Sequence, residues 1–175
     1  MVETDFVVTK DGIKIHYDHY KNGRKEVVVI APGFFNSKDA ILIKDLANDL
    51  KINYDVIAMD FRGHGESSGL FQWTSKEYLD LLAVLEYAHK TYEKIGVIGF
   101  SLGGSTSIIA ASKTNLMNSL VCVSAPRDVQ KIEYRLWELD PENDLVYSLL
   151  GKGRIGKGVR PGPWWQKKER PVDIV

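Results

Sequence analysis

Ser101 stands between two glycines in Gly99-Phe100-Ser101-Leu102-Gly103, where the short apolar run Ile95–Gly99 meets a helix-compatible stretch through Ile108-Ile109-Ala110-Ala111. A serine on a sharp turn between strand and helix holds its hydroxyl clear of the backbone, beside a helix N-terminus that favours developing negative charge. The flanking glycines fit because a Cβ there would meet neighbouring backbone, and Gly104 gives the helix further room. That arrangement is suited to a nucleophile that forms an acyl intermediate. Such chemistry needs two converging N–H donors for the oxyanion. Leu102, directly after the serine, supplies one. Phe34 in Pro32-Gly33-Phe34-Phe35 is chosen for the other, because Gly33 lets the chain turn its N–H toward the site.

These residues need a scaffold, and the chain alternates strand and helix patterns. Phe6–Thr9 and Ile13–Tyr17 flank Asp11-Gly12, a hairpin signal. Val27–Ala31, Asp55–Met59, Ile95–Gly99 and Leu120–Val123 are near-continuous apolar runs, as strands covered on both faces are. Between them, Asn36 or Ser37 is expected to cap a helix with the stripe Ile41, Leu42, Leu46 and Leu50. Thr74 and Glu77 read as a capping box, with Trp73 and Tyr78 at the staple positions, before Leu81, Leu82, Leu85 and Ala88. The fold class expected is α/β: a mostly parallel, doubly wound sheet with an antiparallel N-terminal hairpin.

Three elements then carry a resemblance. Ala31-Pro32-Gly33-Phe34, Asp60-Phe61-Arg62-Gly63-His64-Gly65-Glu66-Ser67 and Gly99-Phe100-Ser101-Leu102-Gly103-Gly104 follow three successive strands. In this order the chain resembles the α/β-hydrolase superfamily, in particular its esterase, thioesterase and serine aminopeptidase-like branch. One departure is Pro32-Gly33 where many relatives carry His-Gly, and it preserves the backbone donor. The resemblance implies a core over residues 1–126, a cap-like excursion over 127–170, and a lead-in at 171–175 to final strands that the sequence lacks. It implies a serine hydrolase of the carboxylic-ester type, acting on an ester, thioester or small amide through Ser101. The alternative is a non-catalytic or truncated relative, inactive without a partner or a C-terminal part.

The triad is where the alternative gains weight. Its order in this fold is serine, acid, histidine. The four histidines are His16, His19, His64 and His89, and none follows Ser101. His64 in the Arg-Gly-His-Gly loop is structural in the family, His16 and His19 are expected to face solvent, and His89 to end a helix. Asp128 stands where some lipases place the acid, but serves better as a helix N-cap or surface charge. The 175 residues alone are therefore expected to be a poor catalyst. Phe35, Phe100, Trp164 and Trp165, with Phe34, are candidates to line an apolar acyl pocket.

Lys+Arg and Asp+Glu are both 23, which gives no electrostatic case for nucleic acid or an anionic membrane. No metal-ligand spacing occurs, and no cofactor is expected. Gly151–Gly158 imitates a phosphate loop but has Gly158 where a Ser or Thr should hold magnesium, and no βαβ unit brackets it. The single cysteine, Cys122, reads as a buried hydrophobe in a strand. The acidic N-terminus lacks a signal-peptide pattern, which leads to an expected cytoplasmic location. A small acyl substrate is the expected partner, and an open sheet edge would favour self-association.

Overall fold

The computed structural model describes residues 1–129, 159–163 and 165–174. The strands are β1 (Val2–Val8), β2 (Lys14–Tyr20), β3 (Glu26–Ala31), β4 (Asp55–Met59), β5 (Lys94–Phe100) and β6 (Ser119–Val123). They form one sheet in the order β1-β2-β4-β3-β5-β6. β1 and β2 pair antiparallel through the Asp11-Gly12 turn, where Gly12 has φ +83°, and β2 pairs antiparallel with β4. The β3–β4, β3–β5 and β5–β6 pairs are parallel. The architecture is thus the mostly parallel sheet with an antiparallel N-terminal hairpin that the residue pattern implied.

The helices are α1 (Ile41–Leu50), α2 (Glu77–Ala88) and α3 (Leu102–Ala111). Alternation along the strands divides the core between the two faces of the sheet. Val27, Val29, Ala31, Ile57 and Met59 pack against Leu81, Val84, Leu85 and Ala88 of α2 and Ala110 of α3. Ile30, Val56 and Ala58 pack against Ile43 and Ala47 of α1. Since β4 lies on one side of β3 and β5 on the other, the loops after β3 and β5 diverge from a topological switch point. A crevice opens there in sheets of this kind. It is also where Phe34 and Ser101 stand.

Several local expectations are overturned. α1 begins at Ile41 with Ala40 as N-cap and no side-chain cap, so neither Asn36 nor Ser37 caps it. Ile41 and Leu42 are exposed, while Ile43 and Ala47 are buried. The Thr74–Glu77 capping box does not form. Trp73 and Thr74 have φ of +56° and +71°, and α2 starts at Glu77 itself. The Glu77 carboxylate instead accepts the Gln72 N–H at 2.6 Å, and the Thr74 hydroxyl donates to the Glu169 carbonyl.

Cys122 is exposed, because β6 is the edge strand of the described sheet and Val121 and Val123 are open with it. His19 is buried rather than solvent-facing. Its Nε2–H donates to the Tyr92 oxygen at 2.5 Å, its Nδ1 accepts from Tyr87, and Tyr92 passes its own proton toward Asp55. Burial lowers the His19 pKa to about 4.

Most of the cap-like excursion, including Gly151–Gly158 and Trp164, lies outside the described residues. The described residues beyond it meet the body at two places. Residues 159–162 bridge onto the loop after β4, with paired hydrogen bonds between Arg160 and Gly63 and Phe71. A 3-10 turn at Pro171–Asp173 docks beside α3, where Val172 N–H donates to the Arg127 carbonyl. No helix among the described residues is long and apolar enough to cross a membrane.

Candidate active site

Ser101 has φ +47° and ψ −114°, a conformation that L-residues rarely adopt. It is held there from both sides. Its N–H donates to the Val123 carbonyl at 2.8 Å, and its own carbonyl accepts from Ser105 at 3.1 Å, fastening the turn to β6 and to α3. The glycines explain how helix and strand come so close. A Cβ on Gly99 would lie 2.7 Å from the Gly103 oxygen and 2.7 Å from the Gly104 Cα. A Cβ on Gly103 would overlap the carbonyl oxygens of Ala31 and Pro32, so the first turn of α3 sits against the end of β3. The side chain emerges exposed at the C-terminal edge of the sheet.

The loop after β3 approaches the same point. A Cβ on Gly33 would stand 3.4 Å from the Ser101 Cβ. Gly33 to Asn36 then form a turn closed by Asn36 N–H to the Gly33 carbonyl at 3.1 Å, with Phe35 at φ +63°. A positive φ on a phenylalanine is a strained arrangement of the kind kept at functional sites. Leu102 is the first residue of α3, so its N–H has no acceptor within the helix. The two backbone donors singled out in the sequence thus belong to neighbouring segments that flank Ser101.

The side chains of those two donors meet in one cluster that the sequence did not reveal. Phe71, Leu102 and Val159 form its buried centre, with Phe34, Phe35 and Trp73 packed around them. Ring centroids lie 4.9 Å apart for Phe34–Phe71, 5.5 Å for Phe34–Trp73 and 4.9 Å for Phe71–Trp73. Of the expected pocket residues, Phe35 joins this cluster. Phe100 packs instead on the α1 side of the sheet, and Trp165 is 74% exposed. Trp164 lies outside the described residues. Phe71 and Trp73 carry a sequence signal for this cluster, two aromatics two residues apart after a Gly-rich loop, although Trp73 also fits a helix staple.

His64 is buried beneath Phe34 and Phe71, its ring edge-on to both at centroid distances of 5.9 and 5.1 Å. The Arg62 carbonyl accepts from Nδ1 at 3.1 Å, which fixes the neutral tautomer with the proton on Nδ1. Burial lowers its pKa to about 4. No hydrogen bond joins it to the Ser101 hydroxyl among the described residues. It packs under the turn that carries Phe34, and it is not a base poised near neutrality.

Asp128 faces Arg170 at 3.6 Å. Arg62 is buried between Asp80 and Asp11, with all three guanidinium nitrogens engaged and Nε–Oδ1 and Nη2–Oδ1 separations to Asp80 of 2.9 and 2.7 Å. This fork ties the loop after β4 to α2 and to the N-terminal hairpin. No group of three or more His, Cys, Asp or Glu side chains among the described residues is placed to hold a metal ion.

A mostly parallel sheet with an antiparallel N-terminal pair, and a strained serine where β5 turns into α3, fit the α/β-hydrolase class. The α/β-hydrolase fold family model matches residues 26–146, and the chain belongs to that family. It is 32% identical over 117 residues to the uncharacterized hydrolase YugF of Bacillus subtilis, covering 65% of this chain and 41% of that protein. It is 30% identical over 118 residues to the human serine hydrolase BPHL, covering 63% of this chain and 38% of that one. The esterase Pf2001 of Pyrococcus furiosus superposes with a TM-score of 0.77 at 27% identity, covering 86% of this chain and 62% of the esterase. The chain thus spans about four-tenths of the length of the first two relatives.

Proposed function

We propose that this chain carries the nucleophile and the oxyanion donors of a serine hydrolase. Its substrate class is a carboxylic ester, a thioester or a small amide. The observation that carries this is the Ser101 backbone, held at φ +47° where strand β5 turns into α3. In the reaction, the Ser101 oxygen adds to the substrate carbonyl, and the N–H groups of Leu102 and Phe34 stabilise the resulting oxyanion. Collapse expels the alcohol, thiol or amine, which takes up the proton that the Ser101 hydroxyl gave up, and leaves an ester on Ser101, which water then hydrolyses to the free acid, restoring the hydroxyl. The aromatic cluster of Phe34, Phe35, Phe71 and Trp73 offers the adjoining apolar surface.

General acid–base work needs a histidine on the Ser101 hydroxyl, and no histidine follows Ser101 in the sequence. His64 is too weak a base and His19 is buried among tyrosines. On this reading the 175 residues, assayed alone, keep what binding and the oxyanion donors supply, roughly 10³–10⁴-fold over water, and lack efficient turnover. The same observation favours a second reading, a non-catalytic α/β-hydrolase-like protein whose site is completed by other residues or remains unused. Hydrolysis of p-nitrophenyl acetate separates the two. A weak rate that disappears in Ser101→Ala supports the hydrolase reading, and a rate unchanged by that substitution rejects it. Turnover at the level of an intact esterase would overturn the requirement for a further histidine.

A further inference from the structure

We propose that Asp60 is a positioning residue for the oxyanion turn, its carboxylate fastening the loop after β3 to the Gly-rich loop after β4. The inference rests on reading Phe34 N–H as an oxyanion donor. Asp60 is fully buried directly after β4. Its Oδ1 accepts the Lys38 N–H at 2.7 Å, at the far end of the loop that begins with Pro32-Gly33-Phe34. Its Oδ2 accepts the Glu66 N–H at 2.9 Å, and its carbonyl accepts the Ser67 hydroxyl at 2.8 Å. One side chain therefore bridges the two loops that wall the crevice. Gly65 is part of the device, since a Cβ there would collide with the Asp60 carboxylate, and its φ of +47° keeps the chain clear.

The clamp has a second strand. The Lys38 side chain is buried, and its ammonium contacts Glu66 at 3.1 Å, Asp39 at 3.2 Å and Asp18 of β2 at 3.3 Å. Burial works against that charge, but the surrounding carboxylates outweigh it and hold the pKa above the ordinary lysine range. The charged groups facing Asp60 are thus Lys38 and Asp39 from the loop after β3 and Glu66 from its own loop, with Asp18 reaching it through Lys38. Acyl transfer at Ser101 uses none of these charges, and the buried arrangement ties down the loop that carries Phe34 and the positive-φ Phe35.

Asp60→Asn tests this. Asparagine keeps one acceptor oxygen and turns an NH2 toward the other N–H, so one of the two anchors fails. Hydrogen–deuterium exchange of the full chain is expected to rise roughly 10–100-fold over residues 33–40 and 61–67, the range for loss of a bond to a charged group. Exchange in β3 and α3 should stay at wild-type rates. Fluorophosphonate labelling of Ser101 should slow by a comparable factor. Unchanged exchange in both loops, or an equal rise throughout the protein, would overturn the proposal.

Should the variant fail to fold, the wild-type protein supplies an independent test. Burial raises the Asp60 pKa to about 6 against an ordinary 3.8, so an opening that wets this carboxyl releases its proton below pH 6, and acidification from pH 7.5 to 5 should slow exchange in these two segments after correction for intrinsic exchange. A flat profile would overturn the proposal equally. If wild-type Ser101 takes no label, the hydrolase reading fails, and the exchange result still decides whether Asp60 anchors the turn.

Discussion

Gly99→Ala puts the geometry of the nucleophile turn to a quantitative test. The added methyl would stand 2.7 Å from the Gly103 oxygen, 2.7 Å from the Gly104 Cα and 2.8 Å from the Gly103 carbonyl carbon. Comfortable carbon contacts lie near 3.5–4.0 Å, so the first turn of α3 must retreat by about 1 Å. All three obstacles are backbone, with no flexible side chain to give way. Overpacking of this kind costs about 1–3 kcal/mol, which for a chain of this length lowers Tm by roughly 2–4 °C per kcal/mol. The same shift carries the Leu102 N–H off its target, and a displacement of that size costs on the order of 10²-fold in rate.

Gly96→Ala on the same strand is the control, because its Cβ would meet the Ser119 Oγ alone, at 3.0 Å. Urea unfolding followed by circular dichroism, with fluorophosphonate labelling in parallel, gives both numbers. A Gly99→Ala protein within 0.5 kcal/mol of wild type, or a Gly96→Ala protein equally damaged, would refute the close-approach argument.

Three further outcomes are expected. His64 titrates at about 4 against an ordinary 6.5, so its contribution is present above pH 6.5 and lost as pH falls through 4. The wild-type protein should therefore lose on the order of 3 kcal/mol more than His64→Phe between pH 7 and 4, read from urea midpoints. Arg62→Ala leaves Asp80 buried without its cation, and should cost about 3–5 kcal/mol in the same denaturation assay. Among p-nitrophenyl esters of increasing acyl length, Phe71→Ala and Trp73→Ala should shift the preference, whereas Trp165→Ala, on a side chain 74% exposed, should leave it unchanged.

The parallel strands were legible because burial on both faces writes a continuous apolar run, and the elbow because glycines are forced where helix meets strand. Helix starts were not. Asn36, Ser37, Thr74 and Glu77 look like caps locally, but Glu77 is recruited by the Gln72 N–H and Thr74 by Glu169, partners set by the tertiary fold. An edge strand such as β6 has the same apolar composition as a central one, so nothing local marked Cys122 as exposed. His19 is one of four consecutive buried residues, 17–20, in a strand whose sequence alternation reads as a solvated hairpin. The aromatic cluster and the Asp60 clamp join residues far apart in sequence, and such partnerships leave no periodic signal.

Mass-spectrometric mapping of a fluorophosphonate adduct tests the central claim, that Ser101 is a preorganised nucleophile. The account predicts a slowly formed adduct on Ser101 that requires the folded state and is absent from Ser101→Ala. Prolonged exposure to the probe without an adduct on Ser101, or the same adduct yield in guanidinium as in native buffer, would contradict it.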